Sequence, residues 1–456
     1  APARRRRRPS RHPPPGRFSM AAAAEGHGGA GAGAGSQESL QRALEKADAG
    51  RREATATKLV IAEFLFITAV AMVIPTRAPM VLEIKKGDTV ATARVLGLMS
   101  SIAAFIELFI NPVFGQLSDM FGRRPFLMLA PVVDAFLHTL VAAFPRALPV
   151  TFVDRMITGS MIFAFKAPLS AALSDLFSGP QLAVWLARQG SAFGLGLGLG
   201  PYIGSKLGGA RSFFWSSAMF LASMIYVSAT IPETLAPDDT KSFNAAACSP
   251  LRFLKLFRGR VLSTLAATVG LQSFGDYLNV YDINYLFLKT VFDVGQTEVG
   301  RYASAVGVTQ FISGNVMGRA IKAAGQQTAT LGANLMWSVA MGLLGSARSA
   351  QQIAASLAAM CFGHMRNSGV SAYILKHGQA SGMGRSEIVA AQANLLAILK
   401  VFMPILYGNI FAYATSGGRR LPGAPYFFIA LLTLLSQLCF WTIDPDREAG
   451  AGGRKQ

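Results

Sequence analysis

The chain has 456 residues, of which 52% are hydrophobic and only 15% charged, with a mean hydropathy of +0.38. A soluble domain carries about a quarter charged residues, so a soluble globule, a disordered chain and a disulfide scaffold are excluded, and long apolar blocks point to a bilayer. The net charge of +19 would suggest nucleic acid on a soluble protein, but seven basic residues crowd the first 17 positions and others flank apolar segments, where they mark the cytoplasmic side, so no nucleic-acid partner is expected.

Residues 1–57 contain no apolar run and are dominated by Arg, Pro, Ala and Gly, which predicts a disordered basic arm. No acidic residue precedes Glu25, as in an organelle transit peptide; a start at Met20, with residues 1–19 an upstream extension, is the simpler expectation. Twelve apolar segments of spanning length follow: 59–82, 95–117, 126–144, 148–172, 190–209, 213–231, 261–288, 302–322, 328–346, 351–375, 388–413 and 425–443. They lack the two-residue alternation of barrel strands, so they are helices. A polar stretch with Pro232, Pro237 and a basic cluster (Arg252, Lys255, Arg258, Arg260) divides them six and six. The expected organisation is therefore an arm (1–57), a first bundle (58–232), a cytoplasmic linker (233–260), a second bundle (261–443) and a tail (444–456). Arg42, Lys46, Arg51, Arg52 and Lys58 before the first helix, and Arg447 after the last, place both termini in the cytosol.

Between the second and third segments the chain reads Gly115-Gln-Leu117-Ser-Asp119-Met-Phe-Gly122-Arg123-Arg124-Pro125. A helix end, a carboxylate, a glycine turn and two cations are packed into a very short loop, so the helices it joins are antiparallel neighbours. The carboxylate can pair with the arginines or cap a helix N-terminus.

This stretch resembles the G-x-L-x-D-x-x-G-R-[RK] signature of the major facilitator superfamily at every fixed position. Arg155 and Gly159 are similar to that family's R-x-x-x-G element, Gly196-Leu-Gly198-Leu-Gly200-Pro201-Tyr-Ile-Gly204 to its glycine-proline element, and Ile231-Pro-Glu-Thr-Leu235 to a common helix-six ending. Glu63 and the Gly408, Pro425, Tyr426 region look closest to the tetracycline-resistance-like branch. The resemblance covers about residues 59–443. It implies an all-α integral membrane fold of twelve helices in two pseudo-symmetric bundles, with helices one, four, seven and ten around a central cavity. It also implies that Asp119, Arg123 and Arg124, with Gly115 and Gly122, hold the cytoplasmic face shut in an outward-open state. A faded copy of the signature is expected at Gly314-Asn315-Val-Met-Gly318-Arg319, with Asn315 in the place of Asp119.

Ionisable residues inside spans are costly and so mark functional sites. Asp134 and His138, four apart, share a helix face and can relay a proton; with Glu63 they are the proton-coupling candidates. Glu63 serves equally well as a cap near the start of helix one. Glu107 sits mid-segment, and Lys400 lies in helix eleven. Asp154 points about 100° from Arg155 and is expected to face the interface. Arg155, Lys166, Asp276, Asp282, His364 and Arg366 lie on the helices that the resemblance puts around the cavity and are the substrate-binding candidates; Asn279 recurs with the two acids on helix seven. In the fifth segment Gly196, Gly200, Pro201 and Gly204 suit either close packing or a rocking surface between halves.

No nucleophile elbow, phosphate loop or paired zinc histidines appear, and Cys248, Cys361 and Cys439 show no metal or redox spacing. The expectation is a monomeric secondary transporter, without catalytic, metal or cofactor site, for a small polar or anionic organic solute, with protons as a second partner. A transporter-like receptor is the alternative.

Overall fold

A computed structural model of the chain describes residues 33–177, 179–235, 242–243, 248–275, 277–383, 385–417 and 420–445. The chain divides into residues 1–51 and a body from Arg52 to the end. Among the described residues there are fifteen α-helices, one 3₁₀-helix and no strand. The helices make twelve spans because three spans are each built from two helices.

The first span is α1 (Gly33–Met72) followed by α2 (Ile74–Ile84). Pro75 brings no backbone N–H, and the N–H groups of Thr76 and Arg77 both donate to the carbonyl of Val73, at 3.1 and 3.2 Å. Helix α1 already runs from Gly33, so a large part of the arm expected to be disordered is helical. Ala, Leu, Glu, Lys, Gln and Arg dominate residues 38–54, and these are strong helix formers. The rest of the first bundle comprises α3 (Thr89–Phe121), α4 (Arg124–Ala143), α5 (Leu148–Leu176), α6 (Gly179–Leu207) and α7 (Gly209–Thr230).

The second bundle opens with the broken span α8 (Arg260–Ser273) and α9 (Tyr277–Phe292), then α10 (Gln296–Ala324) and α11 (Gln326–Ser346). The tenth span is broken into α12 (Ala350–Gly363) and α13 (Arg366–Ala380), and α14 (Arg385–Thr415) and α15 (Ala424–Trp441) complete the set. Trp337 of α11 is wedged against both breaks: a Cβ on Gly275 would lie 2.5 Å from its Nε1, and one on Gly363 would lie 2.6 Å from its backbone nitrogen. Among the described residues seven helices, the joined first span among them, are long and apolar enough alone to cross a membrane. Helices α8, α9, α12 and α13, at 14 to 16 residues, are short because their spans are broken.

Two seams join the bundles, α3 along α14 and α6 along α10. Both close on glycine. A Cβ on Gly97 would lie 2.6 Å from the carbonyl oxygen of Pro404, one on Gly408 equally close to that of Ala93, and one on Gly307 only 2.9 Å from the nitrogen of Gly198. These contacts lie in the half of the spans remote from the Gly122 turn. The other glycine face of α6 packs within the first bundle: Gly196, Gly200 and Gly204 sit against Ile67, Thr68, Ala71 and Met72 of α1. Gly196, Gly200 and Gly204 are thus packing positions on helix one, whereas Gly198, with Pro201 beside Gly300, faces the other half.

The internal repeat is visible in the turns. Gly122, at φ +100, joins α3 to α4, and Gly325, at φ +83, joins α10 to α11. Superposing these glycines in sequence pairs Gly115 with Gly318, Asp119 with Lys322, and Arg123 and Arg124 with Gln326 and Gln327. The second copy therefore lies at residues 318–327. Gly314 to Arg319, where it was expected, is the body of α10, because the turn requires a glycine in the left-handed region.

Candidate functional site

At the Gly122 turn the residues act as a clasp. Arg123 pairs with Asp119, donates to Ser118 Oγ at 2.9 Å and reaches Asp175 at the end of α5 at 3.4 Å. Arg124 Nη2 donates to the carbonyl of Ser228 on α7 at 2.6 Å. The N-terminus of α4 is capped by Glu233, which accepts from the backbone nitrogens of Arg123 and Arg124 at 2.9 and 3.1 Å. Gly122 has no side chain because that carboxylate fills the space. Burial raises the pKa of Glu233, but donors from Leu235, Arg123, Arg124 and Thr234 outweigh it and hold the carboxylate below its ordinary value. In the faded copy neutral amides stand in place of the two arginines: Gln326 donates to the carbonyl of Gly369 at 2.8 Å, and Gln327 to that of Ile443 at 3.0 Å.

A cavity of about 150 Å³ lies beside the seams. Its ionisable lining comes from both bundles: Arg77, Glu107, Asp134, His138 and Arg155 from the first, Asp282 and Lys400 from the second. Proline at 75 and the break at Val73 place Arg77 of α2 inward, where Nη2 meets Asp154 Oδ2 at 2.8 Å. Asp154 is wholly buried and also faces His138 Nε2 at 3.4 Å, so it does not face the interface. The other nitrogen of His138 lies 2.9 Å from Ser216 Oγ, and Ser216 in turn donates to the carbonyl of Ala69 at 2.6 Å. Asp134 is buried on the same face of α4, and neither of its oxygens has a hydrogen-bond partner among the described residues.

Two links cross between bundles at the cavity. Lys400 Nζ lies 2.5 Å from Glu107 Oε2, and Ser100 Oγ bridges Asp282, at 3.0 Å, to Arg155, at 3.4 Å. Gly159, the second fixed position of the R-x-x-x-G element, makes room for Glu107: a Cβ there would collide with its carboxylate.

The sequence profile of the Major Facilitator Superfamily matches residues 59–397. The chain belongs to that superfamily. Like its other members, this major facilitator protein is a multi-pass membrane transporter. It is 24% identical over 381 residues to tetracycline resistance protein class H of Pasteurella multocida, covering 80% of this chain and 91% of the relative. Over 168 residues it is 33% identical to major facilitator superfamily domain-containing protein 10 of Mus musculus, 35% of this chain and 36% of the relative. The crystal structure of the human organic anion transporter MFSD10 superposes with a TM-score of 0.64 at 19% identity, covering 85% of this chain and 99% of that one.

In this superfamily member the remaining candidates fall elsewhere. Glu63 is 30 residues into α1 and buried, so it caps no helix start; Gln189 Nε2 lies 3.5 Å from its Oε2. Lys166 is exposed at the edge of the cavity, its ammonium 4.2 Å from the centre of the ring of Phe193, a lining residue. His364 and Arg366 belong to a separate cluster in the second bundle. Arg366 donates to the carbonyl of Gln272 at 2.5 Å and stacks over Trp337 at 4.3 Å, and His364 lies 3.4 Å from Thr309. Asp276 lies outside the described residues, as does the side chain of Asn279. Among the described residues no group of three His, Cys, Asp or Glu is close enough to hold a metal.

Arg77 is a cavity residue whose signal in the sequence is an arginine inside an apolar segment, two residues past a proline. Glu107 and Lys400 were visible singly, but nothing in their spacing announces that they meet.

Proposed function

We propose that this protein is a secondary transporter that moves a small polar or anionic organic solute by alternating access and is coupled to protons. The observation that carries this is the cavity itself, where both bundles contribute charges at one level and Arg155 faces the space with a weak 3.4 Å contact to Ser100 as its described hydrogen bond. A guanidinium so placed is suited to a carboxylate or phosphate group. The similarity to a human protein described as an organic anion transporter supports that choice of solute.

Proton coupling is supported by the wiring of His138. Ser216 gives its one hydroxyl proton to Ala69, so His138 Nδ1 must donate to Ser216, which leaves Nε2 facing Asp154. That contact is favourable once an added proton sits on Nε2 or on Asp154. Asp134, one turn away and without a donor among the described residues, is a second acid that can take up a proton. Arg77 ties this group to the helix-one break, so protonation bears directly on the cavity wall.

The bundles meet in the half of the membrane remote from the Gly122 turn. With both termini cytosolic, as the flanking basic residues favour, this is the inward-facing state. A single chain supplies the whole cavity, so a monomer is sufficient. The test is uptake of labelled organic anions into proteoliposomes with and without a pH gradient. A gradient-dependent flux is expected, at least tenfold lower in Arg155→Ala and uncoupled from pH in Asp134→Asn. Binding without flux, or Arg155→Ala transporting at the wild-type rate, overturns the proposal.

A further inference from the structure

The segment that enters the second bundle forms a 3₁₀-helix over Pro250–Phe257, and Gly259, at φ +80, turns it into α8. In a 3₁₀-helix side chains three apart eclipse one another, so these residues sort into three rows. The row of Pro250, Phe253 and Leu256 faces the protein: Leu256 is wholly buried in a cluster with Ile388 and Leu395, and Phe253 packs on it. The next row is Leu251, Leu254 and Phe257, which are 59%, 55% and 44% exposed. The third row is Arg252 and Lys255, continued by Arg258.

The element is fastened to the bundle. It packs on α8 and α14, and Asn394 Nδ2 donates to the carbonyl of Ser249 at 3.1 Å. Its level is fixed by α8, the first half of a broken membrane span, which starts at Arg260. An open apolar row next to a cationic row, held at the end of a span, matches the boundary where acyl chains give way to headgroup phosphates.

We propose that Pro250–Phe257 lies in the membrane interface, with Leu251, Leu254 and Phe257 among the upper acyl carbons and Arg252, Lys255 and Arg258 binding anionic phospholipid headgroups. Uncharged lipid satisfies the apolar row alone, so the cationic row is what makes the site selective for anionic lipid. The element also braces α14, the helix that carries Lys400, so a bound lipid steadies the second bundle's side of the seam.

The full-length protein in nanodiscs of phosphatidylcholine, or of phosphatidylcholine with 30% phosphatidylglycerol, provides the test. A nitroxide at Leu254→Cys, with the native cysteines replaced by serine, is expected to be accessible to oxygen and shielded from aqueous nickel in both. In detergent, added phosphatidylglycerol is expected to raise the melting temperature more than phosphatidylcholine does. Each cation removed should weaken the apparent phosphatidylglycerol affinity about fivefold, and Arg252→Gln/Lys255→Gln/Arg258→Gln should abolish the preference. A water-exposed nitroxide, an undiminished preference in the triple variant, or an equal stabilisation by inorganic phosphate alone overturns the proposal.

Discussion

The Glu107–Lys400 pair spans two helices of different bundles, so its strength enters the balance between conformations. Glu107 is buried, its Oε2 lies 2.5 Å from Lys400 Nζ, and the lysine side chain keeps 35% of its surface in the open. A hydrogen bond to a charged group contributes about 1.5–3 kcal/mol, and solvent at the lysine end puts this pair near about 2 kcal/mol. Losing it in a state where α3 and α14 part shifts the population by about thirtyfold. The assay is a double-mutant cycle of Glu107→Gln, Lys400→Met and both, read by pulsed spin-label distances between Lys86→Cys and Glu298→Cys, exposed sites on either bundle at the closed face. Lys400→Met should open the face most, because it leaves a buried carboxylate without the cation hydrogen-bonded to it, and Glu107→Gln on that background should restore most of the closure. If the single effects add to within about 0.5 kcal/mol, the pair does not couple the bundles and the reasoning fails.

Four further outcomes are expected. Gly204→Ala should lower the melting temperature strongly, since its Cβ would strike the carbonyl of Met72 and overpacking costs about 1–3 kcal/mol, whereas Gly190→Ala, with open space at its Cβ, should be neutral or slightly stabilising. Arg77→Met should destabilise the protein by about 3–5 kcal/mol by stranding buried Asp154, and Asp154→Asn in the same chain should recover much of that loss in melting experiments. Asp119 pairs with Arg123 in this inward-facing arrangement, so Asp119→Asn should loosen the Gly122 turn and lower the melting temperature; an unchanged melting temperature would count against this. Glu233 has its folded-state pKa below the ordinary carboxylate value, so its contribution is present above that value and lost as pH falls through the folded pKa. The melting-temperature difference between wild type and Glu233→Gln should therefore hold at pH 7 and shrink below about pH 4.

Hydropathy made the twelve spans legible because each must bury its own backbone in hydrocarbon, and the Asp119 signature was legible because a tight charged turn needs those residue types at those places. The breaks were not. Val73 has a local signal in Pro75, but Gly275 and Gly363 break their spans around Trp337, a residue more than 25 positions away from the nearer one in sequence that only packing brings there. The angle of Asp154 to Arg155 suggests the interface, yet Asp154 is wholly buried between Arg77 and His138, partners that its own helix does not announce. Residue identity points to Gly314–Arg319 for the repeat, while the backbone selects the glycine with positive φ, Gly325. Pairings between distant helices, such as Glu107 with Lys400 or Arg77 with Asp154, leave no periodicity to read.

The glycine seams have a mechanical consequence. Where Gly97 nests on Pro404 and Gly307 on Gly198, the abutting surfaces are main chain, rigid and without rotamers. Such bearings separate by giving up dispersion contacts alone and re-seat in one register, with no side chain to trap midway. A single methyl there would act as a shim, holding the rods apart and leaving the pore leaky from the far side.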